Sequence, residues 1–276
     1  MNTFFLDRLN SEPHALAFAG QSTPWPVALA DQSANPALDE ALHTHAAAAQ
    51  ALLYPVSAEL LATTGRPVDL FGFEPNPARL GAAAAASASV PGIALTQLGA
   101  LLDAAALGYN PAQAKPVAVL GHSQGVLAVH MVQAICEAGS IDAAAAKIDE
   151  ILAIATLIGV AGTRQARQLG LAARHGEATP MLSVKDITRA QVDALIERVD
   201  GARGPIAVAV TNSATHYVLS GYPEDLAAFG VEVAKEHKRQ AKLREEKVRG
   251  GRVFDPTLEY LDVTLPFHSP LMADAV

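Results

Sequence analysis

Apolar and polar positions follow two textures along this chain. Up to about residue 180, short apolar runs alternate with longer stretches of helical character. His14-Ala15-Leu16-Ala17-Phe18-Ala19 is apolar and stops at Gly20-Gln21-Ser22, which predicts a short buried strand closed by a turn. Residues 35–64 predict helix, with Pro36 near its start and a break near Pro55. The stretch 66–88 is rich in proline and alanine and reads as a loop with a helical turn. A helical pattern follows Pro91 through Ala106, then the apolar run Pro116-Val117-Ala118-Val119-Leu120, then a second helix from near Val126. Strand and helix in alternation favour an α/β core with a largely parallel sheet.

Beyond Pro180 the pattern shortens. Met181–Val184 predicts a strand, and residues 188–199 a helix capped by Thr188. Ile206–Val210 and His216–Ser220 predict two paired strands around Asn212-Ser213, and Pro223–His237 a further helix. This β-α-β-β-α order is that of a ferredoxin-like subdomain inserted in the core. Residues 235–252 are crowded with Lys, Arg and Glu and read as a solvated helix with i,i+4 charge pairs. Leu261–Leu265 is expected to be the strand that returns the chain to the core. The organisation expected is therefore a first core segment over 1–178, a ferredoxin-like subdomain with a charged helical extension over 179–252, and a return to the core over 253–276.

Composition narrows the classes. Of the 276 residues, 50% are hydrophobic and 17% charged, as in a globular enzyme. Net charge is −8, with no basic cluster that suggests a nucleic-acid surface. The single cysteine, Cys136, excludes an internal disulfide framework and a cysteine-rich zinc site, and in its helical context it reads as a buried structural thiol. No basic n-region leads into an apolar segment with a cleavage site, and prolines, glycines or charges interrupt the most apolar stretches before a bilayer could be spanned. These features predict a cytoplasmic protein with no nucleic-acid or membrane partner.

The chemistry concentrates at Gly121-His122-Ser123-Gln124-Gly125. Placed between an apolar run and a helix, it fits the G-x-S-x-G nucleophile elbow, in which a sharp turn lifts the serine hydroxyl from the end of a strand. The N–H groups opening the helix would face negative charge that develops beside Ser123. A serine needs a base within hydrogen-bond reach. The chain carries 9 histidines. His122 is adjacent and either lines the site or is structural. His268 lies in Leu265-Pro266-Phe267-His268-Ser269-Pro270-Leu271-Met272, between a strand and a helix pattern, where rigid elements could position a general base. It reads equally as a loop histidine packed beside Phe267, and spacing does not separate the two.

Phe18-Ala19-Gly20-Gln21-Ser22, Gly121-His122-Ser123-Gln124-Gly125 and Pro266–Met272 occur in the order and approximate spacing of acyl-carrier-protein acyltransferases. The chain resembles most the N-terminal acetyltransferase domain of type I fatty acid synthases of the actinobacterial and fungal β-subunit kind. Pro91-Gly92-Ile93-Ala94-Leu95-Thr96-Gln97 and Asn212-Ser213 are further matches. The resemblance implies a hydrolase-like α/β core and a Ser-His dyad, with Ser123 attacking the thioester and His268 taking its proton. It implies an oxyanion hole from the N–H groups of Gln21 and Gln124, and Asn212 shaping the site. No metal or redox cofactor is implied, because the thioester is already activated. Acetyl-CoA would be the substrate, and the acceptor the phosphopantetheine thiol of an acyl carrier protein. Other domains of a homo-oligomeric fatty acid synthase would be its partners.

Two departures refine this. Malonyl-transferring relatives carry an arginine where Ile158 stands, and an isoleucine would leave a substrate carboxylate unpaired. Arg164 or Arg167 would supply the clamp only if the register were shifted. The relatives also continue past the histidine with a helix and strand, so this sequence reads as a piece of a longer multienzyme. The alternatives are a malonyl- or palmitoyl-type transferase of the same family, a serine thioesterase of α/β-hydrolase type using Asp186 or Asp255, and a non-catalytic scaffold segment of a synthase shell.

Overall fold

A computed structural model describes residues 8–275, apart from 22, 65–67, 74–84, 172–177, 201 and 246–253. The chain forms two compact units, Met1–Thr163 and Arg164–Val276. The second unit takes in residues 179–276 together with the end of the long helix that precedes them.

The first unit runs β1 (Ala15–Phe18), α1 (Trp25–Ser33), α2 (Pro36–Leu53), α3 (Ser57–Thr64), α4 (Ala86–Ala106), α5 (Pro111–Ala114), β2 (Ala118–Gly121), α6 (Val126–Ala138) and α7 (Ile141–Gln168). The division between the units falls within α7. Strands β1 and β2 pair in parallel, with Ala15 opposite Ala118 and Phe18 opposite Gly121. That register brings the ends of both strands, and hence the Gly20 and Gly121 turns, together. Asn35 caps α2 by accepting the Ala37 N–H, and Pro36 occupies a first-turn position where no N–H is needed. The break expected near Pro55 is a 3₁₀ turn over Tyr54–Val56.

Helix α4 begins five residues before Pro91 and keeps the proline inside it. A proline costs a helix interior about 3 kcal/mol. Ile93, Leu95 and Leu98 are fully buried, and each such side chain gains about 1.5–3 kcal/mol on burial. Packing therefore holds the helix against its own sequence. The same continuity corrects the reading of interrupted apolar stretches: by length and composition α4 could cross a membrane, and 67% of its most apolar window is buried inside the protein. Cys136 is also corrected. It is exposed, because α6 turns Met131, Val132 and Ile135 inward and leaves position 136 on the outer side.

The second unit holds β3 (Met181–Lys185), α8 (Arg189–Ile196), β4 (Ala207–Ser213), β5 (His216–Ser220), α9 (Pro223–Glu245) and β6 (Thr257–Tyr260). The four strands form one antiparallel sheet in the order β4-β5-β3-β6. Two helices crossing over in a β-α-β-β-α-β chain produce this order, so the ferredoxin-like arrangement is present. Thr188 caps α8 through a reciprocal capping box with Gln191. One face of the sheet buries Leu182, Val184 and Leu219 against Leu226, Phe229 and Val233 of α9.

The expected strand at Leu261–Leu265 is displaced to Thr257–Tyr260, which pairs with β3 rather than with the parallel sheet. The Val263 N–H donates to the Leu261 carbonyl at 2.7 Å, a tight turn that takes the run out of the ladder. Val263 and Leu265 are buried nonetheless. The charged helix extends to Glu245, and its pairs are spaced i,i+3 rather than the expected i,i+4: Lys235 with Glu232 and Arg239 with Glu236, each at 2.6 Å. Residues 246–252 of that segment lie outside the described residues, as do Ser22 and most of 66–88.

Candidate active site

Ser123 has a left-handed backbone, φ 52°. A serine pays about 1–3 kcal/mol for that conformation, so the surrounding structure must impose it. Three contacts do. The His122 N–H donates to the Phe18 carbonyl at 2.9 Å, extending the β1–β2 pairing by one residue. The Gly125 N–H donates back to the His122 carbonyl at 2.9 Å and closes the turn. Gly125 itself packs so tightly that a Cβ there would lie 2.3 Å from the Phe18 carbonyl oxygen. Strand, reversal and helix are thus locked together, and α6 starts at Val126 with Ser123 half-buried at its mouth.

The Gly20-Gln21 turn lies directly against this elbow. A Cβ at Gly20 would fall 2.6 Å from the His122 carbonyl oxygen, 3.1 Å from Ser123 Cβ and 3.4 Å from the Gln124 nitrogen. Only glycine permits that approach. The side chains of the two glutamines are joined, Gln21 Nε2 donating to Gln124 Oε1. Ser89 Oγ donates to Gln21 Oε1 at 3.1 Å, and Gln124 Nε2 donates to the Val90 carbonyl at 2.5 Å. Gln97 Nε2 donates to the Ala19 carbonyl at 2.7 Å. The two residues expected to contribute oxyanion N–H groups are therefore brought together and tied to one turn of α4. Ser89 carried no signal in the sequence. Gln97 stood inside a motif already noted, and its partner, a backbone carbonyl, is set only by the fold.

His268 lies in the second unit, and it too has a left-handed backbone, φ 57°. Ser269 Oγ donates to the Pro266 carbonyl at 2.6 Å, the Met272 N–H to the Ser269 carbonyl at 3.0 Å, and Gln165 Nε2 to the Leu271 carbonyl at 2.8 Å. Leu265 and Pro266 are buried, and Phe267 packs against Met181, Val218 and Val263, while the His268 side chain is exposed. Packing of Phe267, which the sequence offered as an alternative to a chemical role, is what anchors the turn carrying His268. A 3₁₀ helix over Pro270–Ala275 follows in place of the α-helix the pattern suggested. Lys115, Ser123, Asp186 and His268 are the non-glycine residues with positive φ among the described residues. Strain thus coincides with both residues chosen for nucleophile and base.

His122 is exposed, with its N–H and carbonyl both spent on the elbow. Ile158 is 44% exposed on α7, beside the exposed Ile154 and Leu157. Asn212 stands on β4 at an irregularity in the β4–β5 ladder, where its Nδ2 lies 3.4 Å from His216 Nε2. Ser183 Oγ, buried on β3, lies 3.0 Å from the same nitrogen. His216 was not singled out beforehand, because the register opposing Lys185 and His216 exists only in the folded sheet. Asp255 lies 3.4 Å from His237. Among the described residues, no cluster of three or more His, Cys, Asp or Glu could hold a metal ion.

Residues 180–260, the greater part of the second unit, match the family model described as the fatty acid synthase central AT domain. The chain is 27% identical over 209 residues to the fatty acid synthase subunit beta of Schizosaccharomyces pombe, covering 68% of this chain and 10% of that protein. It is 27% identical over 164 residues to the fatty acid synthase beta subunit hexB of Dothistroma septosporum, covering 55% and 8%. The chain thus spans a tenth or less of the curated relatives it matches. Among solved structures, the malonyl CoA-acyl carrier protein transacylase of Coxiella burnetii shares the fold at a TM-score of 0.55 and 19% identity, over 96% of this chain and 66% of that one. A malonyl-transacylase solved with a type II polyketide synthase acyl-carrier protein gives 0.55 and 16%, over 96% and 67%. Over residues 180–260 the chain is thus similar to the central AT domain of fatty acid synthases, and as a whole it is similar to fatty acid synthase β subunits and shares the fold of malonyl CoA-acyl carrier protein transacylases.

Proposed function

We propose that this chain transfers an acetyl group from acetyl-CoA to the phosphopantetheine thiol of an acyl carrier protein, within a larger fatty acid synthase. The observation that carries the reading is the left-handed Ser123, held at the end of β2 with the Gly20-Gln21 turn packed against it. In the first step Ser123 Oγ attacks the thioester carbonyl while His268 takes its proton. Negative charge forms on the carbonyl oxygen, opposite the N–H groups of Gln21 and Gln124. The C–S bond breaks, and His268 returns the proton to the departing thiolate, leaving an acetyl ester on Ser123. In the second step the carrier thiol gives its proton to His268 and attacks the ester. The C–O bond breaks and Ser123 recovers its proton. The reaction balances without any metal or redox group.

Support for a carrier protein as acceptor comes from the fatty acid synthase relatives and from the similar transacylase solved with its acyl-carrier protein. Support for a neutral acyl group comes from Ile158, which cannot pair with a carboxylate. A second reading, malonyl transfer, draws on the malonyl-transacylase names of the similar solved structures. The test is brief exposure of the chain to acetyl-CoA or malonyl-CoA, followed by mass-spectrometric location of the adduct. Acetyl on Ser123, lost in Ser123→Ala, is expected. Preferential malonylation would select the second reading, and steady thioester hydrolysis without a carrier protein would select a thioesterase.

A further inference from the structure

Thr23 spends its hydroxyl in an unexpected place. It stands two residues before α1, where a threonine commonly caps the helix, yet the capping position is Pro24 and no side chain caps α1. Thr23 Oγ1 instead donates to the Gly20 carbonyl at 2.6 Å. That carbonyl belongs to the peptide whose other end is the Gln21 N–H. In a planar trans peptide the C=O and N–H point in opposite directions, and no cis peptide is present among the described residues. Fixing the oxygen of Gly20 therefore fixes where the Gln21 N–H points. Among the described residues no hydrogen bond occupies that N–H, so it is held in place yet uncommitted.

The flanks of this peptide are secured by other residues. Gln97 holds the preceding carbonyl, that of Ala19, and Ser89 and Gln124 hold the Gln21 side chain. What remains is the Gly20-Gln21 plane itself, and glycine's broad conformational range makes that plane easy to rotate. A rotated plane would withdraw the N–H and present a carbonyl oxygen to an anion forming on a group bound to Ser123. We propose that Thr23 is the positioning residue that sets the oxyanion-binding orientation of the Gly20-Gln21 peptide. The proposal rests on the reading of Ser123 as nucleophile and Gln21 as an oxyanion donor.

The test uses the full chain and an alkyl fluorophosphonate, a probe independent of any acyl donor. Ser123 Oγ bonds to phosphorus, fluoride leaves, and the phosphoryl oxygen carries developing charge in the same hole. Phosphonylation of Ser123 is followed by intact-protein mass spectrometry in wild type, Thr23→Val, Thr23→Ala and Thr23→Ser, with thermal unfolding of each. Removing one oxyanion donor typically costs about 100-fold or more in rate. The Val and Ala variants are expected to lose about that factor in the limiting rate at unchanged half-saturating probe concentration, and Ser to stay within about threefold of wild type. A Val or Ala variant that folds and reacts within about threefold of wild type overturns the proposal, as does a Ser variant as slow as Val. If neither Val nor Ala folds, Thr23 is a structural residue and the proposal is overturned. A wild-type Ser123 that reacts with the fluorophosphonate but accepts acyl from neither CoA ester sinks the proposed function and leaves the role of Thr23 standing. A Ser123 inert to the fluorophosphonate sinks both.

Discussion

Gly20 and Ser123 are separated by a hundred residues in sequence, yet a methyl group on the first would lie 3.1 Å from Cβ of the second. The contact is a consequence of the parallel register that sets Phe18 opposite Gly121. Gly20→Ala should therefore damage the elbow rather than fill a space. The nearest atom, the His122 carbonyl oxygen at 2.6 Å, is backbone and cannot move aside. A loss of about 1–3 kcal/mol in unfolding free energy is expected from such overpacking, together with a large drop in Ser123 acylation. Denaturant unfolding and single-turnover labelling would check both, and a fully active Gly20→Ala protein would contradict the geometry.

The backbone at Ser123 makes a second prediction with opposite signs. Ser123→Gly removes the nucleophile and relieves the left-handed strain, whereas Ser123→Ala removes the nucleophile and keeps it. The glycine variant should be more stable than the alanine variant by about 1 kcal/mol, with both inactive. Melting temperatures of the pair measure the difference. The same comparison at His268, φ 57°, should give the same sign.

Ile158 offers a test of donor choice. Ile158→Arg places a guanidinium on an exposed helical position, where its charge costs little in desolvation. The ratio of malonyl to acetyl labelling at Ser123 is expected to rise by about tenfold or more, since a bidentate arginine–carboxylate pair is among the stronger polar interactions. An unchanged ratio would remove Ile158 from the specificity determinants.

Acid stability should depend on Glu236. Its carboxylate accepts from Arg239, Gln240 and Arg198, and these bonds hold its pKa down to about 2. A depressed folded-state pKa contributes stability that is fully present above the ordinary carboxylate range. That stability is lost as pH falls from about 4.5 toward about 2. With both arginines partly in water, the contribution is about 1–3 kcal/mol. Glu236→Gln should be less stable than wild type at pH 7, and the gap should close on acidification through that window. Urea unfolding across pH 2–7 would follow it, and a gap independent of pH would rule the pairing out as its cause.

What the sequence determined by itself were local matters. Short apolar runs were enough for β1, β3, β4 and β5, and helical spacing for α8 and α9, because each breaks at a recognisable turn or cap. The motif around Ser123 was legible because a reversal between strand and helix demands small residues at fixed spacing. Tertiary packing decided the rest. Helix α4 runs through Pro91 because its burial outweighs the proline. Cys136 faces outward because the other side of α6 was the better one to bury. The last strand forms at Thr257–Tyr260 because ladder partners on β3 were available there. The support beneath the elbow, from Thr23, Ser89 and Gln97 to Gly20, Gln21 and Ala19, is made of hydrogen bonds to backbone or between distant side chains. Such bonds leave no periodic trace in a sequence: the partners of Ser89 and Gln97 are distant along the chain, and that of Thr23, though only three residues away, is a backbone carbonyl whose orientation the fold sets.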